Sequence, residues 1–182
     1  MAAGDVLLMS RKIDRHNFRA DPFGTLMCAL IHFTTKSRYN HAALDIGPDE
    51  NGVEMMVEAT NKGVSVNRIA STDEIRVIDQ TQPDHFRLGC PDTICDNLYF
   101  GDDLEQVLAW STGRVGWKYG YVTAALCGLR NMFPGWSIVQ DKAVICSQLV
   151  SEALERAGHD FSKGTEKVSP GDLAEHFGVP RK

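Results

Sequence analysis

A series of short segments with period-two alternation, separated by turn residues, constrains the fold of this chain more than any other feature. Successive side chains in His41–Ile46 fall into two alternating sets, which is the spacing of a β-strand. Residues 47–52 (GPDENG) have the composition of a turn, and Val53–Ala59 is the returning strand of a hairpin. A second tight turn at Asn61–Gly63 leads into Val64–Ile69. We therefore predict a meander of short antiparallel strands in the first half of the chain.

Other elements are predicted on both sides of the meander. Asp5–Met9 (DVLLM) is a short apolar run that is typical of a buried strand, and a further strand is expected at Ile75–Ile78. A helix is expected to begin at Pro22, with Asp21 as its N-cap. One face of this helix is expected to pack on the core through Leu26, Met27, Leu30 and Ile31.

The second half of the chain has helical spacing. Cys146–Ala157 is the clearest helix, because its apolar residues form one stripe and Gly158 supplies a left-handed stop. A last short helix follows Ser169, which is placed to cap it together with Asp172. Shorter helices are predicted over Asp102–Ala109 and Tyr121–Leu129.

Strands that come mostly before helices indicate an α+β fold. The 182 residues include 43% hydrophobic residues and contain no repeat, low-complexity tract or Gly/Ser linker. We therefore expect residues 1–182 to form a single domain.

Charge and hydropathy argue against several classes of function. The chain has 19 Lys and Arg against 24 Asp and Glu, a net charge of −5, which argues against nucleic-acid binding. The longest apolar stretch, Leu26–Phe33, is far shorter than the roughly 20 residues needed to cross a bilayer, so no membrane span is expected. The first residues show no basic leader or cleavage site of a secretory signal. We expect a cytoplasmic protein or one encoded by a bacteriophage.

The five cysteines are odd in number and irregularly spaced, in a chain large enough to fold without disulfides, which favours a reducing compartment. His85, Cys90 and Cys95 have the composition of a metal site. A closed tetrahedral zinc site needs four ligands and this cluster offers three, so we expect neither a metal nor a cofactor.

Cys146 has the position of a reactive thiol. It starts the strongest predicted helix, where backbone N–H groups and the helix dipole favour a thiolate. The alternative is one more small buried residue, since Val144, Ile145, Leu149 and Val150 around it are typical of a core. Position alone leaves both interpretations open.

Three short segments occur in an order that favours the reactive thiol. They are Gly4–Leu8 (GDVLL), His41–Gly47 (HAALDIG) followed by Glu58, and Ile145–Val150 (ICSQLV). They resemble the Gly-Asp strand, the histidine strand with its next polar position, and the cysteine helix of NlpC-type cysteine peptidases. Because the cysteine helix comes last here, the chain resembles the circularly permuted branch of the papain-like superfamily, similar to the YiiX and YebB proteins and more distantly to lecithin retinol acyltransferase. Thr81–Gly101 has no counterpart in this pattern.

The resemblance implies a permuted papain-like fold, with an antiparallel sheet or partial barrel packed against helices. It implies Cys146 as the nucleophile, His41 as the general base and acid, and Glu58 as the group that orients His41. Gly116–Tyr121 (GWKYGY) resembles the family's Gly-x-x-Tyr stretch, which implies a Tyr119 hydroxyl close to the site. The backbone N–H of Cys146 is expected to contribute to an oxyanion hole.

A Cys–His pair needs a third group that fixes the imidazole. Glu58 lies 17 residues after His41, across one hairpin, so the two side chains are expected on neighbouring strands and facing the same side. Asp45 is the rival, but it lies about 6 to 7 Å along the same strand. The remaining histidines are expected to be surface or packing residues: His16, His32, His85, His159 and His176.

The resemblance implies a thiol hydrolase that cleaves an amide bond through an acyl-enzyme, with peptidoglycan stem peptides as the first choice of substrate. The alternative is an acyltransferase or lipid-directed thioesterase of the same fold, which an apolar cleft beside Leu26–Phe33 and Trp136 would favour. A second alternative is a non-catalytic structural or interaction domain.

Overall fold

The fold is described here from a computed structural model that covers residues 3–4, 6–10, 19, 22–69, 102–129, 142–162 and 164–179. Several sequence predictions lie outside these residues: the first residue of the predicted strand, Asp5, the N-cap Asp21, the strand Ile75–Ile78, the segment Thr81–Gly101 with His85, Cys90 and Cys95, and the residues His16 and Trp136.

Four strands form one antiparallel sheet. They are β1 (Val6–Met9), β2 (His41–Pro48), β3 (Glu54–Thr60) and β4 (Gly63–Arg68), in the order β1-β2-β3-β4. The predicted meander is confirmed, with strand ends that differ by one or two residues. Among the described strands β1 and β4 are the two edges, so the sheet is open and does not close into a barrel.

A second, two-stranded sheet was not predicted. It pairs β5 (Lys118–Tyr119) with β6 (Ala143–Val144) in parallel. The chain before β5 lies against β4, where the Val64 N–H donates to the Trp117 carbonyl at 2.9 Å. Gly63 makes this close approach possible, because its φ is +104° and a Cβ there would lie 2.5 Å from the same oxygen.

The predicted helices of the second half are confirmed, and the first helix begins at Pro22 as predicted. The last helix has the predicted capping box, in which Ser169 and Asp172 bond reciprocally. Among the described residues, none of the helices has both the length and the apolar character needed to cross a bilayer. The helices are α1 (Pro22–Thr35), α2 (Asp102–Thr112), α3 (Tyr121–Leu129), α4 (Cys146–Arg156) and α5 (Pro170–His176).

The main core lies between the sheet and α4. Leu149, Val150 and Leu154 form the apolar stripe of α4, and they pack in one buried cluster with residues of β2 and β3 such as Leu44 and Val57. Burial of each of these side chains contributes roughly 1.5 to 3 kcal/mol, so the helix is held firmly across the two strands. The protein is a mixed α+β structure in which this packing fixes where α4 begins.

The predicted core face of α1 is wrong at one position. Met27 and Ile31 are buried as expected, whereas Leu26 is 58% exposed and Phe33 on the same side is 82% exposed. The helix is apolar on nearly every side, so hydrophobicity alone does not identify the face that packs against Ile145.

Candidate active site

Cys146 is the first residue of α4 and follows directly from β6 through Ile145. Its thiol is free, and the residue is 2% exposed. Ile145 is the N-cap in an extended conformation, and an isoleucine has no polar side-chain atom with which to cap a helix. The first-turn backbone N–H groups are therefore left to other partners, the Cys146 sulfur among them.

The start of α4 is also anchored to the segment before α5. Ser147 is buried and its Oγ donates to the Val168 carbonyl at 2.6 Å, just before the helix α5. Leu149 N–H donates to the Ile145 carbonyl at 2.9 Å, which closes the first turn. These bonds hold the cysteine on a rigid element.

His41 is the first residue of β2 and is paired with Met9 of β1. Its side chain is 18% exposed. The ring lies at the end of the strand next to the Cys146 side chain, and each of the two groups shifts the pKa of the other. The nucleophile and base named from the sequence are thus brought together, although they lie more than 100 residues apart in the chain.

Glu58 lies on the other side of the imidazole. It is paired with Ala43 across β2 and β3, so it is on the same side of the sheet as His41 and one step diagonal to it. Its Oε2 lies 2.6 Å from His41 Nε2. Because Nε2 is taken by the carboxylate, Nδ1 is the ring nitrogen left for the sulfur.

Asn67 completes this row of side chains, and sequence reasoning missed it. Its Nδ2 donates to Glu58 Oε1 at 2.8 Å and to Ser65 Oγ at 2.9 Å. An asparagine on an outer strand has no sequence signature that separates it from an ordinary surface residue, so only the strand register reveals the contact.

Charges within the site favour the ionised pair. Burial lowers the pKa of His41, but the charge of Cys146 and hydrogen bonds to Cys146 and Glu58 outweigh it and raise that pKa to about 10. Burial raises the pKa of the Cys146 thiol, but the charge and hydrogen bond of His41 outweigh it, with help from the backbone N–H groups of Ala42 and Ser147. The net shift lowers the thiol pKa, which favours a thiolate beside an imidazolium.

The rival orienter, Asp45, has a different task. Its Oδ1 accepts from the backbone N–H of Gly47 at 2.7 Å, at the register shift between β2 and β3. The carboxylate on the imidazole is that of Glu58. Asp45 therefore shapes the strand and is not the carboxylate that bonds His41.

Tyr119 lies close to the cysteine segment by its backbone. It is paired with Val144, two residues before Cys146, and its side chain packs against the cluster that contains Ile145. Its ring also meets that of Tyr121 at 5.1 Å between centroids. The residue is therefore a neighbour of the site, and the role of its hydroxyl stays a prediction.

The other described histidines lie elsewhere. His32 is exposed on α1, while His159 Nδ1 lies 2.9 Å from His176 Nε2 near the ends of α4 and α5. Within the described ranges, no three metal-ligating side chains come together.

Comparison of the chain with protein-family models found no match, and a search of curated proteins found no similar sequence.

Proposed function

We propose that this protein is a cysteine-dependent hydrolase that cleaves an amide bond through an acyl-enzyme. In this proposal Cys146 is the nucleophile, His41 the general base and acid, and Glu58 the residue that orients His41. The observation that carries the proposal is the row of three side chains, in which the imidazole bonds the Glu58 carboxylate at 2.6 Å and the neighbouring imidazole lowers the pKa of the Cys146 thiol. A buried cysteine with only a packing role needs neither the imidazole nor the carboxylate.

The chemistry follows from this row. The thiolate attacks the substrate carbonyl carbon and forms a C–S bond. The negative charge moves to the carbonyl oxygen, to which the Cys146 N–H can donate a hydrogen bond. The C–N bond then breaks as the His41 imidazolium gives its proton to the leaving amine. Water attacks the thioester while His41 takes a proton, the C–S bond breaks, and the ion pair is restored.

The order of the elements supports a permuted papain-like fold for this hydrolase. A histidine strand and its carboxylate neighbour come first, and the cysteine helix packs across them from the C-terminal part of the chain. With that fold, peptidoglycan stem peptides are the first choice of substrate. The His41 side chain is 18% exposed, so a substrate can approach the Cys146–His41 pair from this side chain.

The alternative, an acyltransferase or lipid-directed thioesterase, has one observation in its favour. Leu26 and Phe33 are exposed on α1, and Met27 of the same helix packs in one buried cluster with Ile145 beside the cysteine. An acyl chain is a natural ligand for such a surface. The second alternative, a non-catalytic domain, leaves the lowered pKa of Cys146 without a use.

The first experiment measures thiol reactivity. With limiting iodoacetamide between pH 6 and 9, we expect Cys146 to be alkylated faster than the four other cysteines, because it pairs a helix start with an imidazole. Cys28 is the matched internal control, since it is also a buried cysteine outside any disulfide but lies on α1. His41→Ala should bring the rate at Cys146 down toward that of an ordinary cysteine.

The second experiment identifies the bond. Muropeptides and a long-chain acyl thioester are each incubated with wild type, Cys28→Ala and Cys146→Ala, and products are followed by mass spectrometry. Cleavage of the peptide that is lost only in Cys146→Ala supports the amidase, and turnover of the thioester alone supports the alternative. Slow alkylation of Cys146 with no product from either substrate would overturn the enzyme proposal.

A further inference from the structure

The Asn67 amide is held in one orientation. Its nitrogen faces Glu58, because a carboxylate only accepts hydrogen bonds and the amide nitrogen is the donor. The second proton of the same nitrogen goes to Ser65 Oγ. Both amide protons are therefore used, and the side chain is fixed between its two partners.

The strand register explains why these groups meet. Ser65 is paired with Glu58 across β3 and β4, and Asn67 follows two residues later on the same side of β4. His41, Glu58 and Asn67 thus form a diagonal row that crosses β2, β3 and β4. Rigid strands hold every member of the row.

Each oxygen of the Glu58 carboxylate has its own partner. Oε2 meets His41 at 2.6 Å, and Oε1 meets Asn67 at 2.8 Å. With both oxygens held, the carboxylate has little freedom to rotate away from the imidazole. A donor to a carboxylate also favours its ionised form, and a neutral amide does so without placing a competing positive charge beside His41.

We propose that Asn67 is a positioning residue of the active site. Asn67 holds the Glu58 carboxylate against His41 and keeps that carboxylate ionised, and Ser65 fixes the Asn67 amide. The proposal rests on the proposed Cys–His–Glu function. Its effect reaches the thiol in three steps: Asn67 supports the carboxylate, the carboxylate supports the imidazolium, and the imidazolium supports the thiolate.

The test is the pKa of His41, followed by NMR in a Cys146→Ala background. Without the thiol, this pKa depends on the carboxylate and its supports. Asn67→Leu keeps the branching and the number of side-chain heavy atoms and removes the donor, and we expect the His41 pKa to fall by roughly 0.5 to 1 unit, a three- to tenfold shift in protonation. Ser65→Ala should shift it in the same direction by less, since the bond to Glu58 remains.

Two controls separate this role from a structural one. If Asn67 acts through the carboxylate, Asn67→Leu should cause no further shift of the His41 pKa in a Glu58→Gln background. Val66→Ala changes the neighbouring, partly exposed residue of β4 and should leave the pKa unchanged whatever it does to stability. Should Asn67→Leu not fold, Asn67→Ala replaces it with the same expectation.

The outcomes distinguish the two proposals. An unchanged His41 pKa in a folded Asn67 variant, or an equal shift with and without the Glu58 carboxylate, would overturn the role of Asn67 alone. A wild-type Cys146 that titrates like an ordinary cysteine would refute the proposed function, and the His41 measurement would still decide the role of Asn67.

Discussion

Glu58→Gln removes the charge beside His41 while it keeps the length and shape of the side chain. The two side chains meet at 2.6 Å and are largely buried. Loss of the charged partner in such a hydrogen bond costs the imidazolium about 1.5 to 3 kcal/mol, which is roughly one to two pKa units. We therefore expect the His41 pKa to fall from about 10 by that amount.

The catalytic rate should fall in proportion. The same free energy corresponds to a loss of about 10- to 100-fold in kcat/KM, with much less residual activity in Cys146→Ala because the nucleophile itself is gone. The assay combines an NMR titration of His41 with turnover of the substrate found for the wild type. Both readouts should move together if the carboxylate acts through the imidazole.

Asp45→Asn is the matched control, because it makes the same carboxylate-to-amide change on the strand of His41. The new amide oxygen can still accept from the Gly47 N–H, so the register shift should survive. We expect the His41 pKa to stay the same. A lower His41 pKa in Asp45→Asn together with an unchanged His41 pKa in Glu58→Gln would refute the assignment and exchange the roles of the two carboxylates.

Two further predictions concern stability. Burial and the charge of His176 lower the pKa of His159 from 6.5 to about 4. Because the unfolded chain takes up the proton first, the free energy of unfolding should be fully retained above about pH 6.5 and should decrease as the pH falls to about 4. After a discount for the exposure of His159, the free energy of unfolding measured with urea should fall by about 1 kcal/mol over this pH range. The double variant His159→Gln/His176→Gln should lack this loss, and an equal pH dependence in the two proteins would contradict the prediction. Gly63→Ala should cost about 1 to 3 kcal/mol, because its φ is +104° and the new Cβ would lie 2.5 Å from a carbonyl oxygen. Gly52→Ala, at φ +75° in open space, should cost less stability in the same thermal or urea assay. An equal cost would mean that the close approach of Gly63 to the Trp117 carbonyl does not contribute to the loss of stability.

Long segments with a clear period were predictable from the sequence. The strands of the meander were set by alternation and by turn residues, and α4 by its apolar stripe and Gly158. The contact between His41 and Glu58 was also predictable, because one hairpin brings neighbouring strands into register.

Features that depend on tertiary packing were not predictable. The strands β5 and β6 are two residues each, too short for any period to appear. The exposure of Leu26 depends on which side of an apolar helix meets α3 and Ile145. The hydrogen bond from Asn67 to Glu58 and the contact between His159 and His176, which are 17 residues apart in the chain, form only after the elements pack.

The apolar start of α4 has a consequence for attempts to make the protein more heat-resistant. Elsewhere in the chain, at Ser169, a helix begins with a full capping box, and such a cap is commonly worth about 1 kcal/mol. Copying that solution to Ile145 would place a polar group among buried apolar neighbours such as Met27, and an acidic cap would compete with the Cys146 sulfur for the same N–H groups. Engineering for a higher melting temperature should therefore avoid this helix end, where the proposed reactivity of Cys146 and the thermal resistance of the fold make opposite demands on Ile145.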